Sequence, residues 1–178
     1  MIKYEFAQNN TKAFAVAGLV LSGIFSGIFF ALLFACTAIV AAFSIASAAA
    51  GVCLIGGFNP YALLPVMPYW CGAVLAGALI SLSVLNFVGL IYLVLIDLQL
   101  VRAYLRYHNN QLASFSGKAI QPPLANWPKL TLKVNRNLKK IASVSLAVFA
   151  VCFASGYVAC SVSAGSLGFW HAWNWFVK

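Results

Sequence analysis

Acid is what this sequence has least of. Its carboxylate side chains are Glu5 and Asp97 alone, set against 11 Lys plus Arg, for a net charge of +9. That leaves no paired-carboxylate site for general acid and base catalysis. Histidine is almost as scarce, with His108 and His171, and no HExxH, GxSxG or phosphate-cradling glycine-rich loop occurs. The five cysteines, Cys36, Cys53, Cys71, Cys152 and Cys160, stand singly without a CxxC. That spacing suggests neither a metal nor a redox pair, and they read as small packing residues. Catalytic residues, a metal site and a cofactor are therefore not expected, and the chain reads as non-enzymatic.

Two further absences point to an environment. No charged residue occurs between Ala13 and Phe58, and proline is confined to 60–68 and 122–128. With 63% apolar residues and 7% charged, far from the roughly 25% charged of a soluble domain, the chain reads as an integral membrane protein. The expected fold is all-α: a polytopic membrane helix bundle of about four transmembrane helices plus a short amphipathic basic helix, in one domain over 1–178.

The charge-free run from Ala13 to Phe58 would make one helix about 70 Å long, more than twice the ~30 Å hydrocarbon core. A hairpin near 35–42 is expected to divide it into spans 13–34 and 37–57, with Thr37 and Ser44 the polar residues nearest the bend. This run is too long for the core of a cleaved signal and reads as retained. Gly56, Gly57, Pro60, Pro65 and Pro68 predict a loop, with Tyr61, Tyr69 and Trp70 at the headgroups. A third span is expected over 69–100, tilted or projecting as a helix that carries Arg102 and Arg106. Residues 107–128 read as a loop.

In PKLTLKVNRNLKKI, Lys129, Lys133, Arg136 and Lys140 share one helical face and Leu130, Val134, Leu138 and Ile141 another. This predicts the short basic helix, with Pro128 in its first turn and Trp127 at the interface. The fourth span follows over 141–164. Eight of the eleven basic residues lie between Arg102 and Lys140, so 102–140 is expected to be cytoplasmic. Four spans then send both termini outward, Lys3 and Lys12 included. Dividing 66–101 into two crossings would reverse the N-terminus but makes each crossing short.

Several residues stand out as candidate sites. Gly72, Ala76, Ser83, Asn86 and Asp97 fall within roughly 80° of one another on a helix. Ser83, Asn86 and Asp97 would make this an intramembrane polar stripe, either a path or pocket or an interhelical hydrogen-bonding face. Gly23 and Gly27 form GxxxG, with Gly18, Ser22 and Ser26 extending a small-residue ridge suited to helix packing. Lys129, Lys133, Arg136 and Lys140 suit anionic lipid headgroups or an acidic partner. Nucleic acid is not expected, since no aromatics interleave with these charges. In the closing GSLGFWHAWNWFVK, Trp170, Trp173 and Trp175 read as an interfacial aromatic anchor and His171 as having no ligand role.

The double apolar run of 13–57, the long span entering LQLVRAYLRYHNN, and NRNLKK leading into a last span together form a recognisable order. It resembles the transmembrane portion of bacterial HAAS-type signalling proteins, which are associated with PadR-type regulators. The helical HAAS domain of that family lies ahead of the first span, where this chain has twelve residues. The resemblance implies a signalling role in a bacterial plasma membrane and transfers no site residue.

The expected function is that of an accessory, scaffold or signalling subunit, working through a partner membrane protein or a second copy. The alternative is a transport-related subunit holding a small ligand in the bundle beside Asn86 and Asp97.

Overall fold

The computed structural model describes residues 2–58, 68–115, 118–122, 124, 128, 130–165, 167 and 168. Every regular element among them is a helix: α1 (Ile2–Gly56), α2 (Tyr69–Phe115) and α3 (Leu132–Ala164). Each contains a stretch long and apolar enough to cross a membrane, at Val20–Gly56, Tyr69–Ser114 and Leu132–Ala164. The all-helical class is as expected, with three candidate spans among the described residues where four were expected.

Proline and glycine set the ends. All six prolines fall between the helices. After α1, Gly57 takes φ of 62°, and the Phe58 N–H donates back to the Cys53 carbonyl at 3.0 Å, satisfying a carbonyl that the last turn leaves open. α2 starts where the Pro68 carbonyl accepts from the Gly72 N–H at 3.1 Å. α3 ends at Gly165, also left-handed, whose N–H reaches the Val162 carbonyl at 3.2 Å.

Three expected boundaries are corrected. The hairpin near 35–42 is absent, and the spans 13–34 and 37–57 are one helix. No proline, glycine or asparagine interrupts residues 28–50, and a bend there would strip partners from backbone groups on both sides. Thr37 and Ser44 do not mark a bend; both turn their hydroxyls toward α2, as described below. The 107–128 loop is also shortened, because α2 continues through Arg102 and Arg106 to Phe115. The sequence VRAYLRYHNNQLASF contains neither glycine nor proline to stop it. Finally, the basic stretch is no separate helix: it forms the first turns of α3 and runs on without a break. α3 starts at Leu132, so Pro128 lies ahead of its first turn.

The chain divides into two compact units, Met1–Thr37 with Leu93–Lys129 and Ala38–Tyr92 with Leu130–Lys178. In the first, α1 and α2 run antiparallel. The Phe30 ring meets Tyr104 edge-on at 5.4 Å between centroids, and Thr37 meets Asp97. Residues 121 and 122 fold back on α2: Asn110 Nδ2 donates to the Gln121 carbonyl at 2.7 Å, and the Gln121 N–H donates to Asn110 Oδ1 at 3.0 Å.

In the second unit α2 packs against both other helices, and glycine permits the closest contacts. A Cβ on Gly51 would stand 2.7 Å from Ile80 Cγ1 and 3.1 Å from the Ala76 carbonyl oxygen. Toward α3, a Cβ on Gly77 would come within 3.2 Å of Cys152 Sγ, and one on Gly156 within 3.2 Å of Leu75 Cδ2. Small side chains, Cys71, Ala76, Ala78 and Cys160, are buried here alongside Val88 and Leu138. Close helix approach of this kind lets dispersion contacts replace the hydrophobic drive that is missing within lipid.

Candidate functional site

α2 carries the polar positions singled out by sequence, and the two units take them up separately. In the second unit Ser83 is buried against Ser44 of α1. Ser83 Oγ donates to the Ser44 carbonyl at 2.7 Å, and Ser44 Oγ donates to the Ser83 carbonyl at 3.0 Å. Each hydroxyl thus satisfies itself on the opposite backbone, as buried hydroxyls must where no water competes. Asn86 is half-buried, and its Nδ2 is a buried atom without a partner.

Asp97 lies in the first unit at 2% exposure. Thr37 Oγ1 stands 2.6 Å from Asp97 Oδ2, toward which it donates, and 3.1 Å from the Leu33 carbonyl of its own helix. The other carboxylate oxygen, Oδ1, is buried without a partner. Gly72, Ala76, Ser83 and Asp97 are all buried, so much of the stripe is a contact face of α2.

The basic stretch presents Lys133, Arg136, Lys139 and Lys140 as exposed side chains along one shallow groove of about 900 Å³, built from α3 alone. Leu138 is buried on the opposite face, while Val134 and Ile141 stay 46% exposed, so the apolar side of this stretch is only partly covered. A link missed in the sequence holds its first turn: Tyr92 Oη donates to Asn135 Oδ1 at 2.7 Å. Lys129 and the aromatic anchor residues Trp170, Trp173 and Trp175 lie outside the described residues, as does His171.

Among the described residues Gly23 and Gly27 make no close approach. A Cβ on Gly23 would stand an ordinary 3.8 Å from Tyr104 Oη, and one on Gly27 would meet nothing within 4 Å. The tight glycines Gly51, Gly77 and Gly156 belong to no GxxxG, although each has a small residue four positions away, Ser47, Ala73 and Cys152.

The first unit also holds a groove of about 600 Å³ that the sequence did not suggest. Phe25, Phe29 and Phe30 of α1 form one wall, and Tyr104, Arg106 and Tyr107 of α2 form much of the other. Arg106 Nη1 donates to the Pro122 carbonyl at 3.0 Å, which fixes the guanidinium at the rim.

Among the described residues no group of three His, Cys, Asp or Glu side chains is placed to hold a metal ion. The chain matches no family model, and neither a curated protein nor a solved structure is similar to it.

Proposed function

We propose that this chain is a non-catalytic accessory or scaffold subunit of a membrane assembly, held in a bacterial plasma membrane and acting through helix contacts. The observation that carries the reading is the bare face of α1. Val20, Leu21, Ile24 and Ile28 are 56–58% exposed. The apolar stretch Val20–Gly56 has 37 residues, about 55 Å of helix against a hydrocarbon core of about 30 Å. Lipid covers one thickness of it; the remainder calls for strong tilt or a protein neighbour. Gly27, open on its outer side, lies on a ridge of small residues that suits a helix from a partner or a second copy. With the resemblance to HAAS-type membrane segments, the assembly would be a signalling one.

Three crossings give an orientation that charge supports. Lys3, Lys12 and the eight cations from Arg102 to Lys140 then share the cytoplasmic side, leaving Lys178 as the one basic residue outside. Lys133, Arg136, Lys139 and Lys140 would meet the anionic headgroups of that leaflet.

The transport reading has less support, because Ser83 and Asp97 direct their side chains to α1. The deciding experiment is purification from the native membrane in mild detergent, followed by identification of what remains bound. A stoichiometric protein partner or a defined homo-oligomer is expected. A monomer that retains a transported small molecule would replace this reading with the other.

A further inference from the structure

The groove in the first unit is apolar and aromatic along most of both walls and carries a charge on its α2 side. On the α1 side Phe25, Phe29 and Phe30 offer aromatic surface, with Ser26 the one polar residue among the α1 residues that line it. On the α2 side Arg106 is the one charged residue among the described lining residues. One of its N–H groups is spent on the Pro122 carbonyl, and a guanidinium has about five donors, so most of the fork remains for an anion. Asn110 also lines the groove, but its amide is engaged in both directions with Gln121. It therefore holds the rim in place and leaves the anion to Arg106. The volume of about 600 Å³ falls within the roughly 300–1,000 Å³ of small-molecule sites.

An occupant that satisfies both walls is apolar along most of its length and anionic at one end. We infer that the groove is a binding site for an anionic phospholipid, its acyl chain against Phe25, Phe29 and Phe30 and its phosphate on Arg106. Free phosphate would leave the aromatic wall bare. A zwitterionic lipid brings an ammonium group toward Arg106 and toward Arg102, one helical turn away. The site differs from the basic face of α3, whose described lining holds no aromatic residue.

Native mass spectrometry of the full chain, released from detergent with phosphatidylglycerol and phosphatidylcholine of identical acyl chains, tests this. The wild-type chain is expected to retain one phosphatidylglycerol in preference to phosphatidylcholine. Arg106→Gln should lower that retention about tenfold, the scale of one lost charge-assisted contact, and Arg106→Lys should restore part of it. Ala103→Trp fills the groove while keeping Arg106 and should also abolish retention, whereas the Lys133→Gln, Arg136→Gln double variant should match wild type. Far-UV circular dichroism checks that each variant is helical. Equal retention of the two lipids by wild type would overturn the assignment. So would wild-type retention by Ala103→Trp, or a loss in the α3 variant as large as that in Arg106→Gln.

Discussion

An acid sealed between two apolar helices depends on whatever few donors reach it, and for Asp97 the described donor is the hydroxyl of Thr37 at 2.6 Å. Asp97 Oδ1 already lacks a partner. Thr37→Val keeps the shape of the side chain and removes the hydroxyl, so Oδ2 loses its hydrogen bond from α1 while Oδ1 has none to lose. The expected loss is about 1–3 kcal/mol, the cost of stranding a buried polar group, and Thr37→Ser should stay near wild type. Detergent unfolding followed by circular dichroism measures both; a Thr37→Val protein as stable as wild type would show that the contact contributes nothing. Asp97 itself was legible in the sequence, because an acid beside a long apolar run is conspicuous. Its partner was not, since Thr37 lies 60 residues earlier and nothing local links the two. The glycines teach the same lesson. GxxxG draws attention to Gly23 and Gly27, yet tight packing falls at Gly51, where Ile80 and the Ala76 carbonyl stand opposite. Close approach is decided by what comes across the interface, and a single strand of sequence does not contain that.

At the scale of the elements, helix ends were easier to read than helix continuity. Gly57, Pro68 and Gly165 stop or start helices through backbone geometry that each residue imposes by itself. The division of 13–57 into two spans rested instead on the thickness of a membrane, a property of the surroundings. Against it stand good helix formers such as Ala35, Ala38, Ala41 and Ala42, together with polar contacts from Thr37 and Ser44 that require α1 to remain straight enough to follow α2. A proline distinguishes the alternatives. At Ala38, an exposed position in mid-helix, Ala38→Pro removes the N–H that the Phe34 carbonyl would accept and crowds that carbonyl, at a cost of about 3 kcal/mol or more in a helix interior. A hairpin turn at 35–42 would accommodate the same residue with little loss. The expected outcome is a marked drop in the midpoint of thermal unfolding, while Ala38→Leu unfolds near wild type. Unchanged stability of the proline variant would restore the two-span division.

For the whole molecule, the number of crossings and the placement of charge have to agree, and here they constrain each other. Four crossings put Lys3 and Lys12 on the side opposite to the basic residues from Arg102 to Lys140, against the bias of short loops toward cytoplasmic cations. Three crossings, one for each of α1, α2 and α3, bring ten of the eleven basic residues to one side. The same count sends 59–67, rich in proline and uncharged, to the other side with the aromatic C-terminal segment. Reporter fusions after residues 12, 62, 120 and 178 read this directly, with alkaline phosphatase active outside and a fluorescent protein active inside. Fusions at 12 and 120 are expected to report the cytoplasm, and those at 62 and 178 the exterior. A fusion at 12 that reports the exterior while 62 stays outside and 120 inside would require α1 to cross twice, and with it a turn between Ala13 and Phe58. Exchanging Lys3 and Lys12 for Gln should weaken the preference at 12 before it changes anything at 120, because the eight cations from Arg102 to Lys140 flank α2 and α3 and are untouched by the exchange.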